Sequence, residues 1–220
     1  MSLERPLSFA TDMLRAVRGG YKTQTRRPVY PMDVSMRGGK LWRSDGRQVV
    51  CPFGEPGDRL WVRERFAFLN GDSGPIVYSA DPVKGRGRLQ WQQSRSLPRE
   101  ASRVLLEVVA TRAERLHVVT EGDARREGYP SGESLDPLAW FKRYWDKITT
   151  PEQLRWAANP WVWVVDFRVI DSMATTPSTP AATVLPEPAV KSTRTASGPR
   201  MATMDEKRKL AEMIRSGALR

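Results

Sequence analysis

Residues 159–170 read NPWVWVVDFRVI, and residues 102–119 read SRVLLEVVATRAERLHVV. Both stretches are rich in Val, Leu or Trp, and runs of β-branched and aromatic residues favour β-strands. The first stretch stays apolar at successive positions until Asp166 and Arg168, so we expect a strand that is apolar on both faces. Both stretches therefore predict strands of a substantial β-sheet.

Shorter elements surround these strands. Gly and Pro punctuate hairpin-type strands near Gly38-Gly39 and Asp45-Gly46, and Pro28 keeps the stretch after Lys22 extended. Apolar spacing predicts a helix over residues 8–20, and helix-start signals occur at Thr120, Asp136-Pro137 and Thr150-Pro151. Strand and helix do not alternate regularly. We therefore predict an α+β fold, a small and partly open β-barrel flanked by helices.

The composition changes sharply near residue 171. All eight Trp lie before this point, whereas residues 171–200 are dominated by Ala, Thr, Ser and Pro and contain no aromatic residue. Such a segment cannot bury enough apolar surface to offset its ordering entropy. We predict a domain over residues 1–170, a disordered C-terminal linker over 171–202 and a short helix over 203–220.

Charge and composition narrow the function classes. The 36 Lys and Arg outnumber the 25 Asp and Glu, which gives a net charge of +11. A polyanionic partner is therefore the expected class, and charge alone does not choose among nucleic acid, nucleotide and acidic protein. One His and one Cys exclude a typical His/Cys zinc site and a disulfide framework. With no membrane span, signal peptide or cofactor motif, we expect a cytoplasmic protein without a cofactor.

The densest polar cluster, Lys22-Thr23-Gln24-Thr25-Arg26-Arg27, follows the first predicted helix. In one interpretation, Lys22, Arg26 and Arg27 form an anion site. In another, Thr25 is a nucleophile that Lys22 activates. A third interpretation is a solvated basic turn beside a helix C-terminus.

Acidic and aromatic residues supply the remaining candidates. With a single His, acid–base chemistry would fall to residues such as Glu127, at the end of the helix that begins after Thr120. Glu64 shares a strand face with Val62, so we expect a cationic partner for it, either Lys22 or an Arg. Arg63, beside Trp61, and Trp91, among polar neighbours, are candidates for stacking on bases. For each, the alternative is a structural role.

Five blocks in order form a recognisable pattern: GYKTQTRR (20–27), PGDRLWVRE (56–64), ASRVLLEV (101–108), TEGDARREG (120–128) and NPWVWVVDF (159–167). Together they resemble the ASCH-domain proteins of phages and prophages, members of the PUA-like superfamily. The resemblance covers about residues 5–170. It implies a PUA-like barrel with a helix-flanked cleft and, for a phage-encoded chain, a location in the host cytoplasm.

The resemblance also implies function. Family members are associated with RNA or modified-nucleoside recognition, and one branch, the bacterial N(4)-acetylcytidine amidohydrolases, uses a Lys, a Thr and a Glu. These match Lys22, Thr25 and Glu127, although that branch lacks segments 29–58 and 68–100 of this chain. We therefore expect binding of RNA, another nucleic acid or a modified nucleoside, with amidohydrolase or ribonuclease activity open. Alternatives are a non-catalytic RNA-binding module and a phage interaction protein that acts through its tail; oligomeric state stays open.

Overall fold

The computed structural model describes residues 2–69, 74–82 and 89–172. Within these ranges the chain forms ten strands and three α-helices. The strands are β1 Glu4–Ser8, β2 Gln24–Pro28, β3 Val34–Arg37, β4 Lys40–Arg43, β5 Gln48–Val49, β6 Arg59–Arg63, β7 Phe66–Phe68, β8 Ile76–Tyr78, β9 Val104–Arg115 and β10 Trp161–Ser172. The α-helices are α1 Thr11–Arg18, α2 Glu121–Arg126 and α3 Pro137–Ile148.

The largest sheet has five strands in the order β1-β6-β9-β10-β2. Strands β9 and β10 are each twelve residues long and pair antiparallel from end to end, with two irregularities in register. Strand β1 runs parallel to β6, whereas β2 runs antiparallel to β10. The two long apolar stretches of the sequence therefore lie side by side as strands, which confirms that part of the prediction.

The surroundings of β10 explain its continuous apolar run. Val162 and Val164 belong to the main core, which also contains buried side chains of α1 and α3. Trp163 belongs to a second core with Val29 and Leu41, beneath the small sheet formed by β3, β4 and β5. Because β10 is covered on both faces, it has no need of the polar–apolar alternation that a half-exposed strand shows.

The outer strands of the large sheet, β1 and β2, approach each other at one end. The Arg27 side chain in β2 donates from Nη2 to the carbonyl oxygen of Ser8 in β1 at 2.6 Å. Helices α1, α2 and α3 pack around the sheet, and α2 also contacts α3. The predicted α+β class is confirmed, and the contact between the outer strands is the arrangement expected of a partly open barrel.

Three details differ from the sequence-based expectations. The helix predicted over residues 8–20 begins at Thr11, and Ser8 belongs to β1. No α-helix follows Thr150 in the described part of the chain: residues Glu152–Leu154 and Trp156–Ala158 form single 3₁₀ turns. Strand β10 ends at Ser172, two residues beyond the predicted end of the body. The rest of the predicted linker and the predicted helix over 203–220 lie outside the described residues. None of the described helices is long and apolar enough to cross a membrane.

Candidate functional site

Helix α1 and the turn after it place Lys22 and Thr25. The helix ends at Gly19, whose amide donates to the carbonyl oxygen of Arg15 at 2.8 Å, and Gly20 adopts a positive φ of 79°. This conformation suits glycine because it lacks a Cβ, and it redirects the chain toward β2. The amide of Lys22 still donates to the carbonyl oxygen of Ala16 at 3.1 Å, so Lys22 remains close to the end of the helix.

Helix α2 places Glu127. Thr120 caps its N-terminus by accepting from the Asp123 amide at 3.1 Å, and the Asp123 carboxylate accepts from the Thr120 amide at 3.0 Å. This capping box is the one expected from the sequence, with Asp in the place of the more usual Glu. Glu127 closes the helix and forms an isolated backbone bridge with Lys22.

Gly128 allows this close approach. Its φ is +99°, and a Cβ there would lie 3.3 Å from both the Ala16 Cβ and the Lys22 Cδ. A larger residue would therefore be strained in its backbone and crowded against Lys22. The turn after α2 thus holds Glu127 and Lys22 together through main-chain geometry.

The Lys22 ammonium is buried, with 3% of the residue exposed. Its Nζ donates to Glu127 Oε2 at 2.9 Å, to the Glu127 carbonyl oxygen at 2.7 Å and to the Gln24 carbonyl oxygen at 2.8 Å. Burial lowers the pKa of Lys22, and the charge and hydrogen bond of Glu127 oppose that shift without reversing it. The structure thus brings together Lys22 and Glu127 as the sequence predicted.

The sequence left Arg26 as part of an anion site or of a solvated basic turn, and the structure contradicts both interpretations for Arg26 because the residue is buried. Its side chain is 1% exposed. One nitrogen, Nη1, donates to Gln24 Oε1 at 2.6 Å and to Glu127 Oε1 at 3.2 Å, and Nη2 lies 2.6 Å from Glu114 Oε1 and 3.3 Å from Asp123 Oδ2. Arg26 therefore binds Glu127 Oε1, whereas Lys22 binds Glu127 Oε2, and Arg26 is too buried to bind a phosphate from solvent.

A cavity of about 200 Å³ opens beside this network. Thr25, Arg26 and Arg27 line it with Lys22 and Glu127. Its apolar lining comes from Phe9, which precedes α1, from Met13 of α1, and from Trp145 and Ile148 of α3. The Thr25 hydroxyl makes no hydrogen bond to another described residue. Arg27 lies 5.5 Å from the centre of the Phe9 ring and makes no ion pair within the described residues. Its guanidinium is the cavity cation without a carboxylate partner in that part of the chain.

Glu64 does not join the cavity. Its carboxylate accepts from Arg103 Nε at 2.7 Å and from Arg103 Nη2 at 3.0 Å. Of the two partners expected from the sequence, the structure therefore selects an Arg and not Lys22. Burial raises the pKa of Glu64, and the bonds from Arg103 oppose the shift. Glu64 belongs to a structural ion-pair cluster that also includes Asp81.

Arg63 and Trp91 also lie away from the cavity lining. Arg63 lies 5.5 Å from the Trp61 ring centre and donates to the Arg95 carbonyl oxygen at 3.3 Å. Trp91 is half-buried, next to the bridge that Gln92 makes with Phe66. The sequence-based set thus divides: Lys22, Thr25, Arg26, Arg27 and Glu127 converge, whereas Glu64, Arg63 and Trp91 do not.

Several residues of this site were not singled out in the sequence. Gln24 Nε2 donates to Asp166 Oδ1 at 2.6 Å, and Asp166 Oδ2 accepts from Arg112 at 2.7 Å, which extends the network across the sheet. Tyr144 lines the cavity from α3, and burial raises the pKa of its hydroxyl. One sequence signal could have indicated Gln24. Gln24 and Arg26 lie two positions apart, so on an extended strand they share a face, and polar side chains on a buried face require hydrogen-bond partners within the protein.

Neither a scan against protein-family models nor a search of curated proteins returned a match. Two solved structures are similar over most of their length. One is a protein from Enterococcus faecalis described by the family model DUF984, with a TM-score of 0.42, 12% identity, and coverage of 79% of this chain and 84% of the other.

The other is an ASCH domain from Lactobacillus crispatus, with a TM-score of 0.37 and 15% identity, covering 77% of this chain and 80% of that domain.

Proposed function

We propose that the cavity binds the base of a nucleoside or nucleic acid and that Lys22, Thr25 and Glu127 hydrolyse an exocyclic amide on that base. The observation that carries the proposal is the buried Lys22–Glu127 pair, 2.9 Å between Nζ and Oε2, at a cavity that Thr25 also lines. The blocks that resemble ASCH-domain amidohydrolases contain these same three residues, which supports the choice of amide.

The size and lining of the cavity support a small ligand group. About 200 Å³ is less than the roughly 300–1,000 Å³ typical of pockets for drug-sized ligands. Such a volume admits a single base or acyl group and excludes a stretch of nucleic acid. Phe9 and Trp145 provide apolar surface, and Arg27 provides a cation that a negatively polarised group of the ligand would neutralise.

The proposed reaction has two steps. In the first, the Thr25 oxygen bonds to the acyl carbon, Lys22 takes the hydroxyl proton, and the bond from the acyl carbon to the exocyclic nitrogen breaks. Glu127 passes the proton from Lys22 to the leaving nitrogen. In the second step, water hydrolyses the threonine ester, which releases a carboxylic acid and restores the hydroxyl. The lowered pKa of Lys22 favours the neutral amine that the first step requires.

A second candidate is recognition without turnover. The three acceptors around Lys22 Nζ match the three N–H donors of an ammonium, whereas a neutral amine has two. This arrangement favours a charged lysine that fixes Glu127 and contributes to binding. For catalysis, Lys22 must release one acceptor to reach the Thr25 hydroxyl.

Turnover of purified full-length protein separates these candidates. The substrates are N(4)-acetylcytidine, other N-acylated nucleosides and short RNAs, with the deacylated nucleoside, the carboxylic acid and RNA fragments as the products measured. Thr25→Val removes the hydroxyl and keeps the shape of the side chain, so turnover is expected to vanish while the ligand dissociation constant changes little. Thr25→Ser, the matched control, retains a hydroxyl and is expected to retain turnover.

A double variant tests the pair. Lys22→Met alone leaves a buried carboxylate without its ammonium, which costs about 3–5 kcal/mol of stability. Lys22→Met combined with Glu127→Gln removes both charges, so the protein is expected to fold and to lack turnover. If wild-type protein binds the nucleosides but releases no product from any substrate, the recognition candidate replaces the hydrolase.

A further inference from the structure

The small sheet of β3, β4 and β5 has one face that does not pack on the body. Register pairs Ser35 with Trp42 and Trp42 with Gln48, and it pairs Arg37 with Lys40. Side chains two positions apart on a strand share a face, so all five lie on the same side of the sheet. Trp42 is half-buried and the other four are exposed. We call this surface the Trp42 face.

The opposite side of the same sheet is packed. Leu41 is 1% exposed, and Val34, Met36 and Val49 pack with it in the second core. The turn between β3 and β4 uses Gly38 and Gly39 with φ values of 53° and 75°, the conformation of a tight hairpin. The Trp42 face is therefore presented by a sheet that is anchored from below, and its side chains are held at fixed spacing.

The cations of the Trp42 face have no carboxylate partners. Neither Arg37 nor Lys40 makes an ion pair or a side-chain hydrogen bond within the described ranges, whereas Asp45 is paired with Arg43 and Arg47. The indole of Trp42 is oriented by a hydrogen bond from Nε1 to the Arg37 carbonyl oxygen at 3.3 Å. An oriented aromatic ring thus lies beside two uncompensated positive charges.

We propose that the Trp42 face binds single-stranded nucleic acid. A base stacks on the indole of Trp42, and Arg37 and Lys40 contact the adjacent phosphates. Base stacking on aromatic rings and backbone contacts to Lys and Arg are the two components of sequence-tolerant single-strand binding. An anionic peptide would use the two cations but would gain nothing from the ring. This inference does not rest on the proposed activity of the cavity at Lys22.

A neighbouring cleft extends the surface. Lys40 and Gln48 also line a cavity of about 540 Å³ that continues to Arg5 and Arg112 beside the large sheet. Strands β3 to β5 belong to segment 29–58, which the resembling amidohydrolases lack, so this surface adds to the site at Lys22. Lys40 and Gln48 thus belong both to the Trp42 face and to this cleft, whose lining also includes Glu55 and Asp58.

Binding of the full-length chain to fluorescein-labelled twelve-residue oligo-U and oligo-dT tests the proposal by fluorescence anisotropy. Trp42→Leu is expected to weaken binding about 5- to 100-fold, the range found when a stacking aromatic is removed. Trp42→Phe keeps an aromatic ring and is expected to restore most of the affinity. Equal loss on both oligonucleotides indicates stacking and phosphate contacts; loss with oligo-U alone adds a contact to the 2′-hydroxyl.

Charge is tested separately. Arg37→Ala with Lys40→Ala is expected to reduce the slope of log affinity against log salt by about 1.4, which is about 0.7 for each phosphate contact on a single strand. The matched control, Arg65→Ala with Arg95→Ala, removes two exposed arginines that have no ion-pair partner in the described part of the chain. It is expected to leave the slope nearly unchanged. Tyr21→Leu, which removes an aromatic side chain that is 52% exposed, is the corresponding control for Trp42→Leu.

Three outcomes would overturn the proposal. The first is an equal loss of affinity in Trp42→Leu and in the Tyr21→Leu control, or an equal change of salt slope in the two charge variants. The second is a poly-glutamate peptide that competes as well as oligo-U and is insensitive to Trp42→Leu. The third is Trp42→Phe binding as weakly as Trp42→Leu at an unchanged melting temperature. These measurements record oligonucleotide binding and not turnover of an acylated nucleoside, so failure here and failure of the cavity proposal are distinguishable.

Discussion

Replacing Arg26 by Met tests whether the buried network holds the site together. Arg26 contacts three carboxylates, at 2.6 Å to Glu114, 3.3 Å to Asp123 and 3.2 Å to Glu127, with a side chain that is 1% exposed. Met fills a similar volume but leaves these carboxylates facing one another. Breaking a buried ion pair on one side costs about 3–5 kcal/mol, and we expect a loss of free energy of unfolding in that range at pH 7.

Arg112 provides the matched control within the same network. It contacts Glu114 at 3.1 Å and Asp166 at 2.7 Å, but its side chain is 41% exposed. Solvent screens such pairs, so Arg112→Met is expected to cost about 0–1 kcal/mol. The two variants remove the same chemical group and differ in burial. The assay is urea unfolding of the full-length chain followed by tryptophan fluorescence, with equal m-values as the condition for comparison.

The stability that Arg26→Met loses should depend on pH in a definite direction. Burial raises the pKa of Asp123, but hydrogen bonds from Thr120 and the charges of Arg26 and Arg126 outweigh it, so the pKa lies below the usual value. A carboxyl with a depressed folded-state pKa stabilises fully above its unfolded value, near 4, and loses this as pH falls through the folded value. The difference in free energy of unfolding between the wild-type protein and Arg26→Met should therefore decrease below about pH 4.

A deficit under 1 kcal/mol at pH 7, or one equal to that of Arg112→Met, would refute this account. It would mean that the carboxylates around Arg26 rearrange to reach water, and that Glu127 does not depend on Arg26 for its position.

Three further predictions concern single features. Gly128→Ala forces a Cβ against Ala16 and Lys22 at a φ of +99°, so we expect a loss of about 1–3 kcal/mol in chemical unfolding, with Gly132→Ala, which has open space around it, as the milder control. Burial raises the pKa of the Cys51 thiol, so its alkylation by iodoacetamide at pH 8, followed by mass spectrometry, should be slower than that of a free cysteine. The composition of residues 173–220 predicts that a chain ending at Ser172 melts within about 2 °C of the full-length protein by calorimetry; a much larger drop would contradict the linker prediction.

The strands and caps were predictable because their causes are local. The run that contains Trp163 is apolar at every position because both faces of β10 are covered, and the uninterrupted pattern reports this directly. Likewise, Thr120 and Asp123 form their capping box within four residues, and Asp136 accepts from the Ala139 amide within one turn. Where cause and consequence lie within a few residues, the sequence contains the whole interaction.

The partners of the buried charges were not predictable in the same way. Arg26 pairs with Glu114 and Glu127, which lie 88 and 101 positions away along the chain. Alternation along β2 indicates only which side of the strand Arg26 occupies. A run of cations is usually a solvated surface, and so an accessible position was expected for Arg26. Only the register of β2 on β10 and of β10 on β9 brings the carboxylate of Glu114 to Arg26.

For Glu64, likewise, the sequence indicated the need for a partner but did not identify the partner. The pattern of β6 correctly indicated a buried carboxylate that needs a cation, and it left Lys22 and an Arg as alternatives. Arg103 has the advantage of proximity, because it immediately precedes β9, which pairs with β6. A guanidinium also binds both oxygens of a carboxylate at once, as it does here at 2.7 and 3.0 Å. That leaves Lys22 for Glu127, across the turn at Gly128.

Both a backbone bridge and a side-chain ion pair hold Lys22 and Glu127 together, and this affects how the chemistry of the pair can be tested. The backbone bridge between the two residues and the tight turn at Gly128 hold their main chains together whether or not the side chains attract. Removing both charges should therefore change the proton chemistry at Lys22 more than the shape of the cavity. The same rigidity opposes a neutral lysine, since two of its three acceptors are main-chain oxygens that cannot turn away. Only the Glu127 carboxylate can release Nζ. A ligand that draws this carboxylate away would free a lysine whose pKa burial already lowers, in the cavity that Thr25 also lines.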